Sequence, residues 1–410
     1  MKNFFLTLCS LLIVFVLFEA GLRLTNYKAL LSVNTLPKDY MKKDKEIGFD
    51  IAENFGVKKA FLTGDMYSYD VWSNELGCFD KPYEKKKSED YVLLLGDSFT
   101  QYATEFDYKW GTQIEKILGK RVLKCGVRGF GTKQELIKGR RVVKKIGKSP
   151  SLIVVGWYWN DIEDDYLFPR RTTYDGLTVD KVDFQDIEKG TLKYRTEEEI
   201  QTIGKFWQKY CDTHDNFNYK RLRSFKCFLK RNVVTWNIFK EVIRNNETVR
   251  KTFFSKLMGS PRKPGSSIEN LPRHPWFQEA ISKNLDNIAE LRNFSETQGA
   301  NFLVVIIPKK EHVYSFMLPS EEQEYQDSVR KRMITFFNNQ GINYLDLKEG
   351  FQKEADLSPR PWLDSKKDLY WKYDGHWNIN GNMLAGKLVS KHIKENKLTS
   401  KAPKRVSSLD

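Results

Sequence analysis

The chain has 410 residues, with 68 Lys and Arg against 53 Asp and Glu, a formal net charge of +15. Hydrophobic residues make up 40% and aromatics 14%, enough apolar surface for a core; this excludes wholesale disorder, and 13 prolines exclude a collagenous or proline-rich fibre. Only one segment is apolar enough to cross a bilayer, which excludes a polytopic membrane protein, and at ~100–200 residues per domain the length allows two or three domains or one elaborated domain.

The apolar segment opens the chain. Met1-Lys2-Asn3 is a short basic leader, Phe4 to Phe18 carries no charge, and Glu19, Arg23 and Lys28 close the run. Phe4–Phe18 falls short of the ~20 residues of a full span, and extension through Leu22 reaches that length by placing Glu19 near the interface. No A-x-A cleavage site follows, and Cys9 lies inside the run, not after it as a lipoprotein cysteine would. Residues 1–23 therefore read as a signal anchor in preference to a cleaved signal peptide. Basic residues on both flanks leave its orientation open. Residues 24–88 are polar, lysine-rich and weakly periodic, and read as a membrane-proximal linker with some packed aromatics (Tyr67, Tyr69, Trp72).

Regular alternation then begins. Tyr91–Leu95, Arg121–Cys125 and Leu152–Val155 are short apolar runs stopped by glycine and predict buried strands, with helices over Trp110–Leu118 and Thr132–Ile146 between them. From Pro169 to Pro275 there are 22 Lys and Arg against 13 Asp and Glu, a surplus of nine. This interval contains helical stretches at Glu197–Tyr210 and Asn237–Met258 and a Pro/Gly/Ser-rich loop at Gly259–Pro272, and reads as an inserted, mainly helical cap or lid. The alternation resumes with a helix over Trp276–Phe294, strands at Asn301–Ile307 and Ile342–Leu345, and helices over Ser320–Asn338 and Asn380–Ile393. Apolar strands separated by amphipathic helices predict a parallel sheet covered on both faces. The predicted organisation is an anchor (1–23), a linker (24–88), a core in two halves (89–168 and 276–395) around a cap (169–275), and a polar tail (396–410). The five cysteines (Cys9, Cys78, Cys125, Cys211, Cys227) form no C-x-x-C or zinc spacing. Cys211 and Cys227 either close a short disulfide loop in an exported domain or stay unpaired in a core.

In open parallel sheets, ligand sites form at the carboxyl ends of the strands. Four segments fall there or just beyond the last strand. Gly96-Asp97-Ser98-Phe99-Thr100 follows the first strand and offers a serine hydroxyl beside its own backbone N–H, an oxyanion donor; ordinary turn chemistry is the competing reading. Gly126-Val-Arg-Gly129-Phe-Gly131 lets backbone amides approach a ligand, and its spacing fits neither dinucleotide nor Walker A loops. Gly156-Trp157-Tyr158-Trp159-Asn160-Asp161 offers an amide donor at Asn160 and aromatic rings that either stack on a sugar or pack in the core. Tyr373-Asp374-Gly375-His376-Trp377 places a carboxylate two residues before one of only five histidines.

Taken together these blocks resemble the SGNH/GDSL hydrolases: Ser98 in G-D-S, Gly129 in the glycine loop, Asn160 in N-D, and Asp374 with His376 near the C-terminus, in the family's order. The resemblance covers about residues 74–168 and 300–390, including Asn74-Glu-Leu-Gly77. Departures are Phe99 for the common leucine, Lys124-Cys125 where an asparagine often precedes the glycines, Tyr158-Trp159 ahead of Asn160-Asp161, and a D-x-H-W in place of D-x-x-H. That last form resembles the membrane-associated branch related to alginate O-acetyltransferases. The resemblance implies a flavodoxin-like three-layer α/β/α sandwich, the SGNH hydrolase fold. It also implies a Ser98–His376–Asp374 triad and an oxyanion hole from the Ser98 and Gly129 amides and the Asn160 side chain. Trp157, Trp159 and Trp377 are candidate substrate contacts. The chemistry needs no metal or organic cofactor. The expected protein is a membrane-anchored serine esterase acting on an acylated glycan or lipid. The alternatives are an O-acyltransferase on a cell-envelope polysaccharide and a non-catalytic carbohydrate-binding member of the same fold. No nucleic-acid motif accompanies the positive charge, and the family's anchored relatives imply an extracytoplasmic domain.

Overall fold

A computed structural model of the chain describes residues 2–24, 36–62, 65, 67–83, 90–182, 192–209, 233–236, 238, 275–314, 320–356, 367–371 and 374–400. The chain divides into two compact units, one of residues 1–37, 59–68 and 196–273, the other of 38–58, 69–195 and 274–410.

In the first unit, α1 (Lys2–Arg23) is a single apolar helix. Phe5–Arg23 has a mean hydropathy of 2.4 and is long and apolar enough to cross a membrane, and Phe5, Leu6 and the residues from Leu11 to Phe18 are exposed. The Glu19 carboxylate accepts hydrogen bonds from the amides of Val234 and Thr235 and the Thr235 hydroxyl, all at 2.8 Å. The predicted Asn237–Met258 helix, the Gly259–Pro272 loop and both Cys211 and Cys227 lie outside the described residues.

The second unit holds the sheet. In chain order it contains β1 (Met41–Asp44), β2 (Gly48–Ile51), β3 (Tyr91–Gly96), α2 (Ser98–Gln101), α3 (Trp110–Leu118), β4 (Arg121–Lys124), α4 (Thr132–Ile146) and β5 (Leu152–Trp157). It continues with α5 (Asp161–Tyr166), β6 (Arg171–Tyr174), β7 (Leu177–Asp180), α6 (Pro275–Thr297), β8 (Asn301–Ile306), α7 (Lys310–Val313), α8 (Ser320–Gln340), β9 (Asn343–Asp346), α9 (Lys348–Ala355) and α10 (Ile379–Glu395). Five strands form one parallel sheet in the order β9-β8-β5-β3-β4. This is the flavodoxin-like order, in which the chain reverses direction across the sheet beside β3.

Alternation along the strands sorts the two faces. Val92, Leu94, Val122, Leu152, Val154, Leu303 and Val305 pack in one cluster with Trp110 and Ile114 of α3, Phe351 of α9 and Ala385, Val389 and Ile393 of α10. The intervening residues turn to the opposite face, where Gly139 of α4 comes against Leu93, Leu95 and Phe294 of α6. The three layers are therefore α3/α9/α10, the sheet, and α4/α5/α6. Each buried leucine or valine contributes ~1.5–3 kcal/mol relative to exposure, so this double-faced burial carries most of the fold's driving force.

Two expected boundaries are corrected. Residues 38–58 and 69–83 are not linker. Phe49 and Ile51 are fully buried, and Asp50 accepts from the Lys138 ammonium of α4 at 2.7 and 2.9 Å. Residues 169–182 are not part of a separate cap either: the β6–β7 hairpin packs with β1 and β2, where the Thr172 hydroxyl donates to the Gly48 carbonyl at 3.1 Å. A linear reading misses this burial because the partners of each strand lie about 100 residues away in sequence.

Candidate active site

Ser98 follows β3 at the point where the sheet order reverses. Asp97 caps α2: its carboxylate accepts from the Phe99 amide at 2.9 Å and from the Ser98 hydroxyl at 3.2 Å. Glycines stand at or beside the carboxyl ends of the three strands around the serine, Gly96 closing β3, Gly126 two residues past β4 and Gly156 next to the last residue of β5, and Thr100 fills the space between them. A Cβ on Gly96, Gly126 or Gly156 would lie 2.2, 2.4 or 3.1 Å from Thr100 atoms. Gly126→Ala is accordingly expected to cost about 1–3 kcal/mol through overpacking. Urea unfolding measures it, and an unchanged midpoint would show that Thr100 moves freely.

The glycine loop continues the sheet's pairing beyond β4, with Cys125 N–H donating to the Leu94 carbonyl at 2.8 Å and Val127 N–H to Gly96 at 2.9 Å. Cys78 and Cys125 form a disulfide. It joins the loop's first residue to the Asn74–Cys78 turn, which the Asn74 side chain holds by accepting from the Leu76 and Cys78 amides. Gly129 takes φ +79, and its carbonyl accepts from Arg171 of β6 at 3.3 Å.

Across the cleft, His376 Nε2 lies 2.7 Å from Ser98 Oγ, and His376 Nδ1 is hydrogen-bonded to an Asp374 carboxylate oxygen, which also accepts from the His376 amide at 2.9 Å. The two ring partners are 278 and 2 residues away in sequence. Of the carboxylates near this histidine, Asp374 is the one on the ring; Asp368 lies apart from it with its carbonyl capped by Asn378 and Asn380. The ring is walled by Phe99 at 4.8 Å and Tyr102 at 5.0 Å between centroids, and Phe99 in turn contacts Tyr158 and Trp377. The His376 and Asp374 side chains stay 21% and 26% exposed, so solvent reaches the pair.

Burial alone would raise the Asp374 carboxyl. The His376 imidazole, its hydrogen bonds and Arg128 outweigh burial and hold it down at about 2. A folded value below the ordinary 3.8 means stability that is present above that value and lost as pH falls through about 2. Asp374→Asn is expected to cost roughly 2 kcal/mol at neutral pH. Unfolding at a series of pH values should show this gap narrowing below about pH 4, and a gap that is constant with pH would refute the assignment. Behind the serine the trend reverses. Burial pushes Asp97 up to about 6 despite the Phe99 amide and His376, and burial with repulsion from neighbouring carboxylates, Asp97 and Asp165 among them, holds Glu135 and Asp161 well above their ordinary values.

The remaining candidates divide. The Asn160 amide donates to Asp164 at 2.8 Å, and its own oxygen is buried without a partner. The three tryptophans are corrected: none is an open platform. Trp157 is 2% exposed, with its indole N–H given to Asn284; Trp377 is 1% exposed against Phe99 and Phe351; Trp159 is 5% exposed, stacked on Phe277 under the Lys309 ammonium. Trp157 and Trp159 turn in at the end of the central strand β5, while Trp377 turns in just before α10 and packs in the opposite layer. Arg128, Tyr102, Lys310 and Trp371 around the site carried no sequence signal, since each acts through a contact distant along the chain.

A flavodoxin-ordered parallel sheet with this serine after its first strand and an Asp-x-His before its last helix is the SGNH hydrolase fold. Residues 269–408 match the family model described as SGNH hydrolase-like domain, acetyltransferase AlgX. Among solved structures it is similar to a GDSL-like lipase from Bacteroides thetaiotaomicron (11% identity over 77% of this chain and 92% of that one, TM-score 0.33). It is also similar to the acetylxylan esterase Axe2 from Geobacillus stearothermophilus (9% identity over 76% and 96%, TM-score 0.37). No curated protein matches it in sequence.

Proposed function

We propose that this chain is a membrane-anchored serine enzyme of acyl-ester chemistry, with Ser98 as nucleophile, His376 as general base and acid, and Asp374 as the group that orients the imidazole. The observation that carries this reading is the unbroken Ser98–His376–Asp374 hydrogen-bond chain at the sheet's reversal point. Ser98 Oγ attacks the ester carbonyl carbon while its proton passes to His376 Nε2. The tetrahedral intermediate collapses, His376 returns the proton to the departing alcohol oxygen, and an acyl-Ser98 ester remains. Water or a sugar hydroxyl then gives its proton to His376 and attacks the acyl carbon, the bond to Ser98 Oγ breaks, and His376 returns the proton to Oγ, which restores the free serine. Amides of Ser98 and Gly129, with the Asn160 side chain, are the candidate donors to the oxyanion, and loss of one such donor costs ~2.7–4 kcal/mol of transition-state stabilisation.

Acyl transfer to a glycan hydroxyl is a second reading, favoured by the match of residues 269–408 to an acetyltransferase-type model. The two share every step up to the acyl-enzyme and differ in the acceptor. The apolar α1 supports an anchor, and the Cys78–Cys125 bridge supports an oxidising, extracytoplasmic compartment. The test is acetyl-ester turnover by the purified protein with and without a sugar acceptor, alongside labelling by a serine-directed fluorophosphonate. Labelling at Ser98 with acetylated sugar as product supports transfer, and labelling with acetate alone supports hydrolysis. A protein that takes neither probe nor substrate would sink the catalytic reading in favour of a binding member of the fold.

A further inference from the structure

The Ser98–His376 contact joins two segments of chain that share no strand pairing, so something must hold them in register. The nucleophile segment leaves α2 through Tyr102 and Ala103, and Ala103 has φ +75, a conformation that a β-carbon disfavours. A non-glycine residue persists there only when its surroundings specify it. Both backbone groups of Ala103 are taken by side chains: its amide donates to the Tyr69 hydroxyl at 3.1 Å, and its carbonyl accepts the Trp371 indole N–H at 2.8 Å.

Trp371 belongs to the segment that carries Asp374 and His376. Its own amide donates to the His376 carbonyl at 3.0 Å, and its carbonyl accepts from the Lys310 ammonium at 2.5 Å. Lys310, itself 5% exposed, also reaches the Asp374 carbonyl at 3.4 Å. The neighbouring residues are anchored on the same side: the Tyr370 hydroxyl donates to Pro308 at 2.7 Å, and the Leu369 amide donates to the Tyr314 hydroxyl at 3.1 Å. The acid–base segment is thus fastened to the β8–α7 connection at several points. Besides ring packing of Phe99 and Tyr102 on His376 and of Phe99 on Trp377, the Trp371 indole gives this segment a direct hydrogen bond to the residues following the nucleophile.

We propose that Trp371 is a positioning residue: by donating its indole N–H to the strained Ala103 carbonyl, it sets the His376–Asp374 pair at hydrogen-bonding distance from Ser98, while Lys310 holds the Trp371 and Asp374 carbonyls from behind. This inference rests on the reading of Ser98, His376 and Asp374 as the reacting groups. It assigns Trp371 no contact with substrate. Alignment of reacting groups within fractions of an ångström governs the chemical step far more than binding, and a misplacement of about 1 Å costs on the order of 100-fold.

The experiment uses the full chain and a small acetyl ester, p-nitrophenyl acetate, with active sites counted by fluorophosphonate titration. Trp371→Phe keeps an aromatic ring and deletes the donor. Its kcat per titrated site is expected to fall about 10- to 100-fold with KM unchanged. The downfield proton resonance of the His376–Asp374 hydrogen bond should shift or broaden as well. Lys310→Met should show the same split between kcat and KM, and serves if Trp371→Phe folds poorly. A merely structural role would lower the melting temperature and the number of titratable sites, while leaving kcat per site and the resonance as in wild type; that result overturns the proposal. Ser98→Ala is the control that separates the two readings. If it is as active as wild type, the catalytic reading falls and the positioning role with it. If Ser98→Ala is dead and Trp371→Phe is fully active per site, only the positioning role falls.

Discussion

Ser98→Ala is expected to lower kcat on an acetyl ester by about 10⁶-fold, the scale on which loss of a triad nucleophile acts elsewhere, with the melting temperature close to wild type. The size follows from the division of labour. Without Oγ there is no acyl-enzyme, and His376 has no proton to take, so only binding and oxyanion stabilisation remain. The fold should tolerate the change. Ser98 is 8% exposed, the hydroxyl is small, and its removal leaves the Phe99 amide still bonded to Asp97. Turnover by purified Ser98→Ala at a rate within tenfold of wild type would refute nucleophilic catalysis at this residue.

The second large effect concerns the bridge between Cys78 and Cys125. The two cysteines are 47 positions apart, and closing a loop of that length removes enough unfolded-chain entropy to stabilise the native state by about 4 kcal/mol in the chain-entropy account. The bridge also ends on the residue before Gly126, so breaking it frees the loop that carries Gly129. Cys125→Ala, or mild reduction of the wild type, is expected to lower the urea midpoint substantially. Activity should fall at urea concentrations where the oxidised protein is still fully active. Reduced and oxidised protein unfolding at the same urea concentration would show that the bridge constrains nothing of consequence.

Much of the core is legible in the linear chain. Trp110–Leu118 and Thr132–Ile146 form helices with the ends their periodicity and stop signals predict, each closed by a left-handed glycine, Gly119 and Gly147. The five apolar runs become the five parallel strands, with ends shifted by one or two residues. These elements are written locally because their stabilising pattern repeats every two or 3.6 residues and needs no knowledge of the partner. The blocks around Ser98 and Asp374–His376 stand out in the linear chain by residue type and order, and the fold brings Ser98, His376 and Asp374 within hydrogen-bonding distance.

The tertiary structure decided what depends on pairing. Whether Cys78 meets Cys125 turns on a turn organised by Asn74 and a loop that extends the sheet, and neither cysteine's neighbours announce it. Phe49 and Ile51 read as part of a lysine-rich linker because the strands that bury them, and the Lys138 that neutralises Asp50, come much later in the chain. Trp157 and Trp377 looked available to a sugar until the layer they fill was in place. The registration of His376 against Ser98 through Trp371 and Ala103 is invisible in the same way. Local propensity and motif order determine which elements form and which groups can react. Burial, charge pairing and alignment are properties of neighbours in space, and they arise only when the sheet brings distant segments together.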